Sequence, residues 1–534
     1  MDSTKSMQKG FNDIYTGENI GTIYTSPAEN SPNTDHYLFI VDPNVQNSLI
    51  RQGMFCSTLS EEGMLIGKIE DIIVNNEYYS NPQTVKNFDK GYLSNICSYF
   101  PSEKWEDYLA YVKVLGVFPK IAKSTATLTD APLKFQSVLK RSYFPAKPGS
   151  KVSVVQGELL DILLGIDPHG LYIGSLSHYN TPVKLNLSRL INKHVAILAM
   201  SGAGKSYLVS VVLEELLKRS NTNQGTPGII LFDVHGEYKF FTDHNTLENQ
   251  EFTKFTTRHD ARYFQIAVSS LTAYDFAKFQ PNISNAQIRE LKSVLNRLKY
   301  EENNDQYDIS EIITRIEKDQ SINQKVRSAL SGWLSDLNRN KIFAKKNHPV
   351  LRTLIEPGRL NIIDLSSLIS IRKKQIIVSF LLDRLFYMRR KEEVPPFFII
   401  LEEAHQFAPE HSINNSSISK SIIETIAREG RKFFGQLCLI SQRPVKLSNT
   451  VLSQCNTHII LRVTNPNDLD HIKATSEALT RESMRMISNL PTGNALLLGN
   501  ATNFPIFVNI RNRICKNTTD IETLEDVCSR YTKL

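Results

Sequence analysis

The stretch His194-Val-Ala-Ile-Leu-Ala-Met-Ser-Gly-Ala-Gly-Lys-Ser206 limits the possible folds more than any other part of the chain. An apolar run enters a glycine-containing loop, then Lys205 and Ser206, then a helical pattern from Tyr207 to Lys218. Strand, tight loop and helix N-terminus in that order aim backbone N–H groups at one place, which is how a chain builds a phosphate cradle. Ser201, Gly202, Ala203, Gly204, Lys205, Ser206 and Tyr207 are the candidate nucleotide-binding residues. Lys205 would reach the β- and γ-phosphates of a nucleotide, and the Ser206 hydroxyl would serve Mg2+. The usual G-x-x-x-x-G-K-[ST] spacing begins with glycine, and here Ala199 holds that place. An ordinary strand–turn–helix is the alternative, and the rest of the chain decides between them.

A chain of 534 residues is too long for one core and divides into two to four domains. A hydrophobic fraction of 41% and a charged fraction of 22% belong to a globular protein. The excess of 62 basic over 55 acidic residues, +7, is weak support for a nucleic-acid partner, although a local basic lining would hardly move the total. No apolar run approaches membrane-span length, and the polar start Met1–Gly10 does not read as a signal peptide. Six scattered cysteines without C-x-x-C pairs fit free thiols in a cytoplasmic protein, not a metal site or a disulfide framework.

Short β-type runs separated by Gly, Pro, Asn and Asp predict an N-terminal β-barrel domain over residues 1–150, with a polar helical or loop excursion from Asn76 to Lys104. Residues 151–191 read as a linker and strands leading into the core. From Asn192 the pattern becomes α/β: apolar runs at Val195–Leu198, Gly228–Phe232, Leu360–Ile363, Phe397–Leu401, Leu437–Ile440 and His458–Leu461 alternate with helices. Strands that are apolar throughout predict a parallel sheet covered on both faces. The P-loop core spans 192–272 and 348–513. Between them, 273–347 shows helical periodicity at Leu291, Val294, Leu295, Leu298, Ile309, Ile312, Ile313 and Ile316, and no strand signal. It is expected to be an inserted helical bundle. A short charged tail, 514–534, completes the chain.

Hydrolysis needs carboxylates beside the phosphates. Phe397-Phe-Ile-Ile-Leu-Glu-Glu-Ala-His405 supplies them at a strand end: Glu402 toward the metal and Glu403 toward the attacking water. A solvated helix start is the plainer alternative for two such acids. Gln442, in Ile440-Ser-Gln-Arg-Pro444, ends another strand and faces the ligand crevice of an open sheet. Arg428, then Arg431, are candidates for an arginine that reaches a neighbour's γ-phosphate, with Lys193 a weaker one. Asp233 and Glu237 either lie one layer behind Mg2+ or simply begin a loop.

These pieces, in this order, resemble the HerA branch of the HerA/FtsK family. The resemblance rests on the phosphate loop, Asp233-Val-His-Gly-Glu-Tyr238, Leu401-Glu-Glu-Ala-His405, Ala427-Arg-Glu-Gly-Arg-Lys-Phe433 and Ser441-Gln-Arg-Pro444. Leu452-Ser-Gln-Cys-Asn-Thr-His458, Thr464-Asn-Pro-Asn-Asp468 and Leu490-Pro-Thr-Gly493 extend it across about Lys193 to Arg513. It implies a RecA-like core, an N-terminal HAS-barrel-like domain and a homo-hexamer with ATP at subunit interfaces. It further implies double-stranded DNA in a central channel and a helicase or translocase activity. His411–Lys420, with Asn414, Asn415, Ser416 and Lys420, is the candidate channel loop, an ordinary surface loop being the alternative. The family also implies a partner, a NurA-type nuclease or, in phage defence, a sirtuin-like NADase or other nuclease. The contrasting expectation is a ring scaffold that binds ATP and activates a toxic effector with little DNA translocation.

Overall fold

The structure is a computed structural model that describes residues 16–25, 31–45, 50–76, 106–119, 139–220, 225–244, 247–280, 283–301, 307–410, 417–476, 479–516, 525, 528 and 529. The chain divides into two units, Met1–Pro168 with His178–Thr181, and His169–Ser177 with Pro182–Leu534.

In the first unit, β1 (Thr16–Tyr24), β2 (His36–Val41), β3 (Phe55–Leu59), β4 (Gly63–Asn76), β5 (Glu106–Pro119) and β6 (Lys151–Val155) close a barrel in the order β1-β2-β5-β4-β3-β6. Residues two apart point the same way along a strand, so Tyr37 with Phe39 and Val152 with Val154 fill the interior. A small closed barrel also forces backbones together. A Cβ on Gly21 would stand 2.2 Å from the Ile40 carbonyl oxygen, so only glycine fits there. The barrel expected over 1–150 takes its closing strand, β6, from beyond that boundary, because the Val152/Val154 alternation is what completes the interior. The excursion expected after Asn76 lies outside the described residues.

The second unit is built on one sheet. Its strands are β7 (Leu171–Leu176), β8 (Pro182–Leu185), β9 (His194–Leu198), β10 (Gly228–Asp233), β11 (Thr256–Asp260), β14 (Leu360–Asp364), β15 (Phe397–Leu401), β16 (Gly435–Ser441), β17 (Cys455–Ile460), β18 (Asn494–Gly499) and β19 (Ile506–Ile510). They run in the order β11-β14-β10-β15-β16-β9-β17-β18-β19-β7-β8. From β11 to β17 all neighbours are parallel, as expected. Every residue of β9, β10, β14, β15 and β16 is buried, which explains their unbroken apolar runs. The sheet then departs from the all-parallel expectation: β18, β19, β7 and β8 add an antiparallel wing. A buried apolar strand reads the same in either direction, so the sequence does not distinguish them.

The helices that matter here are α1 (Lys205–Ser220), α2 (Asn285–Glu301), α3 (Ile309–Lys318), α4 (Gln324–Asn338), α5 (Ile371–Arg390) and α6 (Lys420–Glu429). Among the described residues of the insertion, Ala273–Phe279, α2, α3 and α4 are helical, as expected, with Leu291, Val294, Ile309, Ile312, Leu330 and Leu334 buried. Ile313 is only partly buried. Asp308 and Glu311 form a reciprocal cap at the start of α3. One short strand pair departs from the helical expectation: β12 (Ile266–Ala267) pairs with β13 (Phe343–Ala344). Two residues are too few to leave a periodic signal.

The parallel register aligns the strand ends. Phe232 lies opposite Leu401, Leu401 opposite Leu439, and Ser441 opposite Leu198. The loops that leave β9, β10, β15 and β16 therefore open on one edge, the edge where ligands bind in open α/β sheets.

Candidate nucleotide site

The loop between β9 and α1 has the conformation its glycines permit. Gly202 and Gly204 have φ of 75° and 94°, and nothing lies within 4 Å of a Cβ built on Gly202. Ala199 is fully buried, donates its N–H to the Ser441 carbonyl at 3.2 Å, and is not among the residues of positive φ. The first position of this loop follows directly on β9 and does not take a positive φ, so alanine fits it without strain.

Lys205 and Glu403 meet across the sheet edge. Lys205 Nζ donates to Glu403 Oε1 at 2.7 Å, and both side chains are buried. Gln442 Nε2 donates to the same oxygen at 2.6 Å. His405 Nδ1 lies 3.3 Å from Glu403 Oε2, and His235 Nε2 lies 3.7 Å from Oε1. Ser441 Oγ stands 3.3 Å from His405 Nδ1, which ties the end of β16 to the same group. Glu403 itself adopts φ 48°, ψ 45°, a left-handed conformation that costs a non-glycine residue about 1–2 kcal/mol. The structure thus brings Lys205, Glu403 and Gln442 together, and the two imidazoles join them. His405 follows the paired acids and His235 follows Asp233, but neither spacing announces a carboxylate partner.

Glu402 is fully buried. Its Oε2 accepts the Val234 N–H at 2.9 Å, while Oε1 has no hydrogen-bond partner among the described residues. Burial, with the nearby Asp233 charge, pushes its carboxyl up to about 8. Asp233 is engaged with its own turn. Oδ1 accepts the N–H groups of His235, Gly236 and Glu237 at 3.2, 2.6 and 3.1 Å, and Oδ2 accepts that of Tyr238 at 3.2 Å. Of the two expectations for Asp233, the loop-starting one describes its contacts. Gly236, at φ 78°, makes the turn, and Glu237 is exposed.

Tyr207 is joined to the C-terminal segment. Its hydroxyl accepts the Arg513 N–H at 2.8 Å, and the Arg513 guanidinium lies 5.4 Å from its ring centroid. Behind it, Arg511 pairs with Glu214 and Glu215 of α1 at 2.8 Å each, and Glu214 Oε1 accepts the N–H groups of Ile514 and Cys515, both at 2.8 Å. No motif in the sequence pointed to this clamp.

Arg428 and Arg431 are exposed and stand away from this edge. The carbonyl of Ala427 accepts from His194 Nε2 at 3.0 Å, which sets Arg428 beside the amino end of β9. The phosphate loop leaves the other end of that strand, roughly 16 Å along it. Lys193, just before β9, shares the amino end. Asn414, Asn415 and Ser416 lie outside the described residues. Lys420 is turned inward: its Nζ donates to the Glu410 carbonyl at 3.1 Å and stands 3.9 Å from Glu424.

A phosphate loop after the middle strand of the mixed sheet, with a Lys–Glu–Gln constellation at the neighbouring strand ends, defines a P-loop ATPase with a RecA-like core. The profile of one family, described as "Helicase HerA, central domain", matches residues 171–385. The DNA double-strand break repair helicase HerA of Pyrococcus furiosus is 30% identical over 427 residues, covering 69% of this chain and 74% of the relative. A probable helicase of Methanocaldococcus jannaschii is 29% identical over 480 residues, 84% of each chain. Among solved structures, VirB4 of Thermoanaerobacter pseudethanolicus shares the fold, with a TM-score of 0.50, 14% identity, and coverage of 65% of this chain and 97% of that one. The chain belongs to the HerA helicase family.

Proposed function

We propose that this ATPase drives double-stranded DNA through a ring of six copies, with each nucleotide held at a boundary between subunits. The observation that carries the reading is the division of the site. Lys205, Glu403 and Gln442 gather at one edge of the sheet, while Arg428 and Arg431 stand exposed near the opposite end of β9. An arginine that cannot serve its own phosphate loop suits the loop of an adjacent copy.

Mg2+ fits the donor set. Ser206 offers a hydroxyl, and Glu402 offers a buried carboxylate oxygen with no partner among the described residues. Among the described residues no three His, Cys, Asp or Glu form a metal cage. This suits an ion that completes its shell with phosphate oxygens and water. When bound, it would neutralise negative charge on the phosphates beside Ser206 and Glu402. Lys205 holds the γ-phosphate and in doing so leaves Glu403. Glu403 then orients the attacking water and draws off its proton, His405 and His235 hold that carboxylate, and Gln442 reports the γ-phosphate to β16.

The break-repair name carried by the Pyrococcus relative supports a role in DNA end processing beside a partner nuclease of the NurA type. A sirtuin-like or other effector in phage defence is the other setting. Free buried thiols at Cys56, Cys438, Cys455 and Cys515 support a cytoplasmic location. Among the described residues no helix is long and apolar enough to cross a membrane.

The test is ATP hydrolysis by the native chain and by Glu403→Gln, each with and without duplex DNA. Duplex-stimulated turnover that the substitution abolishes is expected; equal rates for the two proteins would refute the reading. Displacement of a third strand from a triplex-bearing duplex then separates a motor from a scaffold that only activates its partner.

A further inference from the structure

Tyr207 directly follows Ser206 and lies in the first turn of α1, next to the phosphate loop. Every Cα–Cβ bond of a helix tilts toward the N-terminus, which starts this side chain toward the loop. The residue is half-buried, and its hydroxyl is tied down twice: it accepts the Arg513 N–H at 2.8 Å and donates to Asn512 Oδ1 at 3.3 Å. The Arg513 guanidinium lies 5.4 Å from the Tyr207 ring centroid and 4.9 Å from that of the buried Phe240, both cation–π distances. Arg513 is itself half-buried, and among the described residues its guanidinium makes no hydrogen bond and no ion pair. A flat cation with its donors unengaged thus stands on a fixed aromatic ring, one residue along from Ser206.

The residues on either side of Arg513 hold it there. Arg511 pairs with Glu214 and Glu215 of α1, and Glu214 Oε1 accepts the N–H groups of Ile514 and Cys515. Glu214 is fully buried. A buried ion pair adds little net stability over apolar packing, but a shifted register would strand its charges, so it fixes position. Arg511 takes both carboxylates, which leaves Arg513 without a counter-charge among the described residues.

We infer that Tyr207 and Arg513 form the seat for the nucleoside half of ATP, with the base lying flat against this platform of phenol and guanidinium while the phosphates enter the loop. The inference rests on the proposed Mg2+–ATP site and names its other half. In that site the loop N–H groups and Lys205 take the phosphates, and none of them addresses the base. A flat base is what flat groups select, since bases stack on aromatic rings and on arginine planes. The clamp of Arg511 on Glu214 and Glu215 then has a use: it holds the platform in register with the loop.

Titration calorimetry of the full chain in Mg2+ measures affinity for ADP and for inorganic pyrophosphate, in the native protein, Arg513→Ala and Arg513→Lys. Both ligands carry a diphosphate, so the ratio of their affinities isolates the nucleoside's share. The ratio is expected to fall about tenfold in Arg513→Ala, with pyrophosphate affinity unchanged. Arg513→Lys keeps the charge and loses the plane, and its ratio is expected to fall as well. A ratio unchanged in Arg513→Ala overturns the seat, even where both affinities drop together. A ratio that lysine preserves overturns the stacking role, because charge alone then suffices. A native protein that binds pyrophosphate as tightly as ADP overturns the seat and leaves the phosphate loop standing. One that binds neither overturns the site on which the seat rests.

Discussion

Lys205 and Glu403 neutralise each other: Nζ and Oε1 are 2.7 Å apart, with side-chain exposures of 7% and 3%. The residue proposed to grip the γ-phosphate and the residue proposed to prepare water are already partners in this structure. On the proposed mechanism ATP separates them, so one event both fills the cradle and frees the base.

Removing one member of a buried pair leaves the other charge stranded, which costs about 3–5 kcal/mol, whereas removing both costs much less. Lys205→Met and Glu403→Gln should each lower the nucleotide-free melting temperature, and the double substitution should lower it by clearly less than their sum. A coupling of about 2 kcal/mol is expected from denaturant titration of the four proteins. Strictly additive losses would show that the ion pair contributes nothing to the fold.

Arg428 should be separable from binding. Arg428→Ala is expected to keep nucleotide affinity and lose about 10³-fold in turnover. Mixed with Lys205→Ala, it should recover activity, because intact arginines from one parent meet intact loops from the other. No recovery at any mixing ratio would place the arginine's action within a single chain.

Ala199 should prove silent. It is buried and does not take a positive φ, so it makes no demand for glycine, and Ala199→Gly is expected to change kcat less than about twofold and to lower stability by up to about 1 kcal/mol through backbone entropy. A large gain in kcat would show that the alanine restrains the loop.

His194 makes the arginine segment sensitive to acid. Nε2–H donates to the Ala427 carbonyl and Nδ1 accepts the Leu437 N–H, an arrangement that only the neutral ring satisfies. Burial holds its pKa down at about 4. The depressed folded value means that no cost arises above the unfolded value of about 6.5, and that stability falls as pH drops from there toward 4. The loss is expected to be on the order of 2 kcal/mol. His194→Asn should start less stable and lose that pH-dependent component, read as melting temperature from pH 7.5 to 4.5. An unaltered pH dependence in the variant would assign the acid sensitivity elsewhere, for instance to the buried His458.

Much of the fold was legible because parallel strands buried on both faces leave unbroken apolar runs, as β10 and β15 do. The edge strand β11, Thr-Thr-Arg-His-Asp, was not: its residues are largely exposed or half-buried, so no apolar signal marks it. The same contrast runs through the site. Lys205, Glu403 and Gln442 sit at strand ends or in a loop of fixed spacing, and such positions can be read directly. His235 and His405 acquire their partner only through sheet register, and Arg511 reaches Glu214 from 297 residues away. No local pattern encodes contacts of that kind.

That last contact has a consequence for the newborn chain. Glu214 is fully buried on the helix that begins at Lys205, and its partners are Arg511, Ile514 and Cys515. Until the ribosome has passed Cys515, that helix carries a carboxylate with no counter-charge and no donors. The cradle for ATP is encoded early but finished late, so a prematurely terminated chain would be an unstable product for quality control to remove, not a half-built motor loose in the cell.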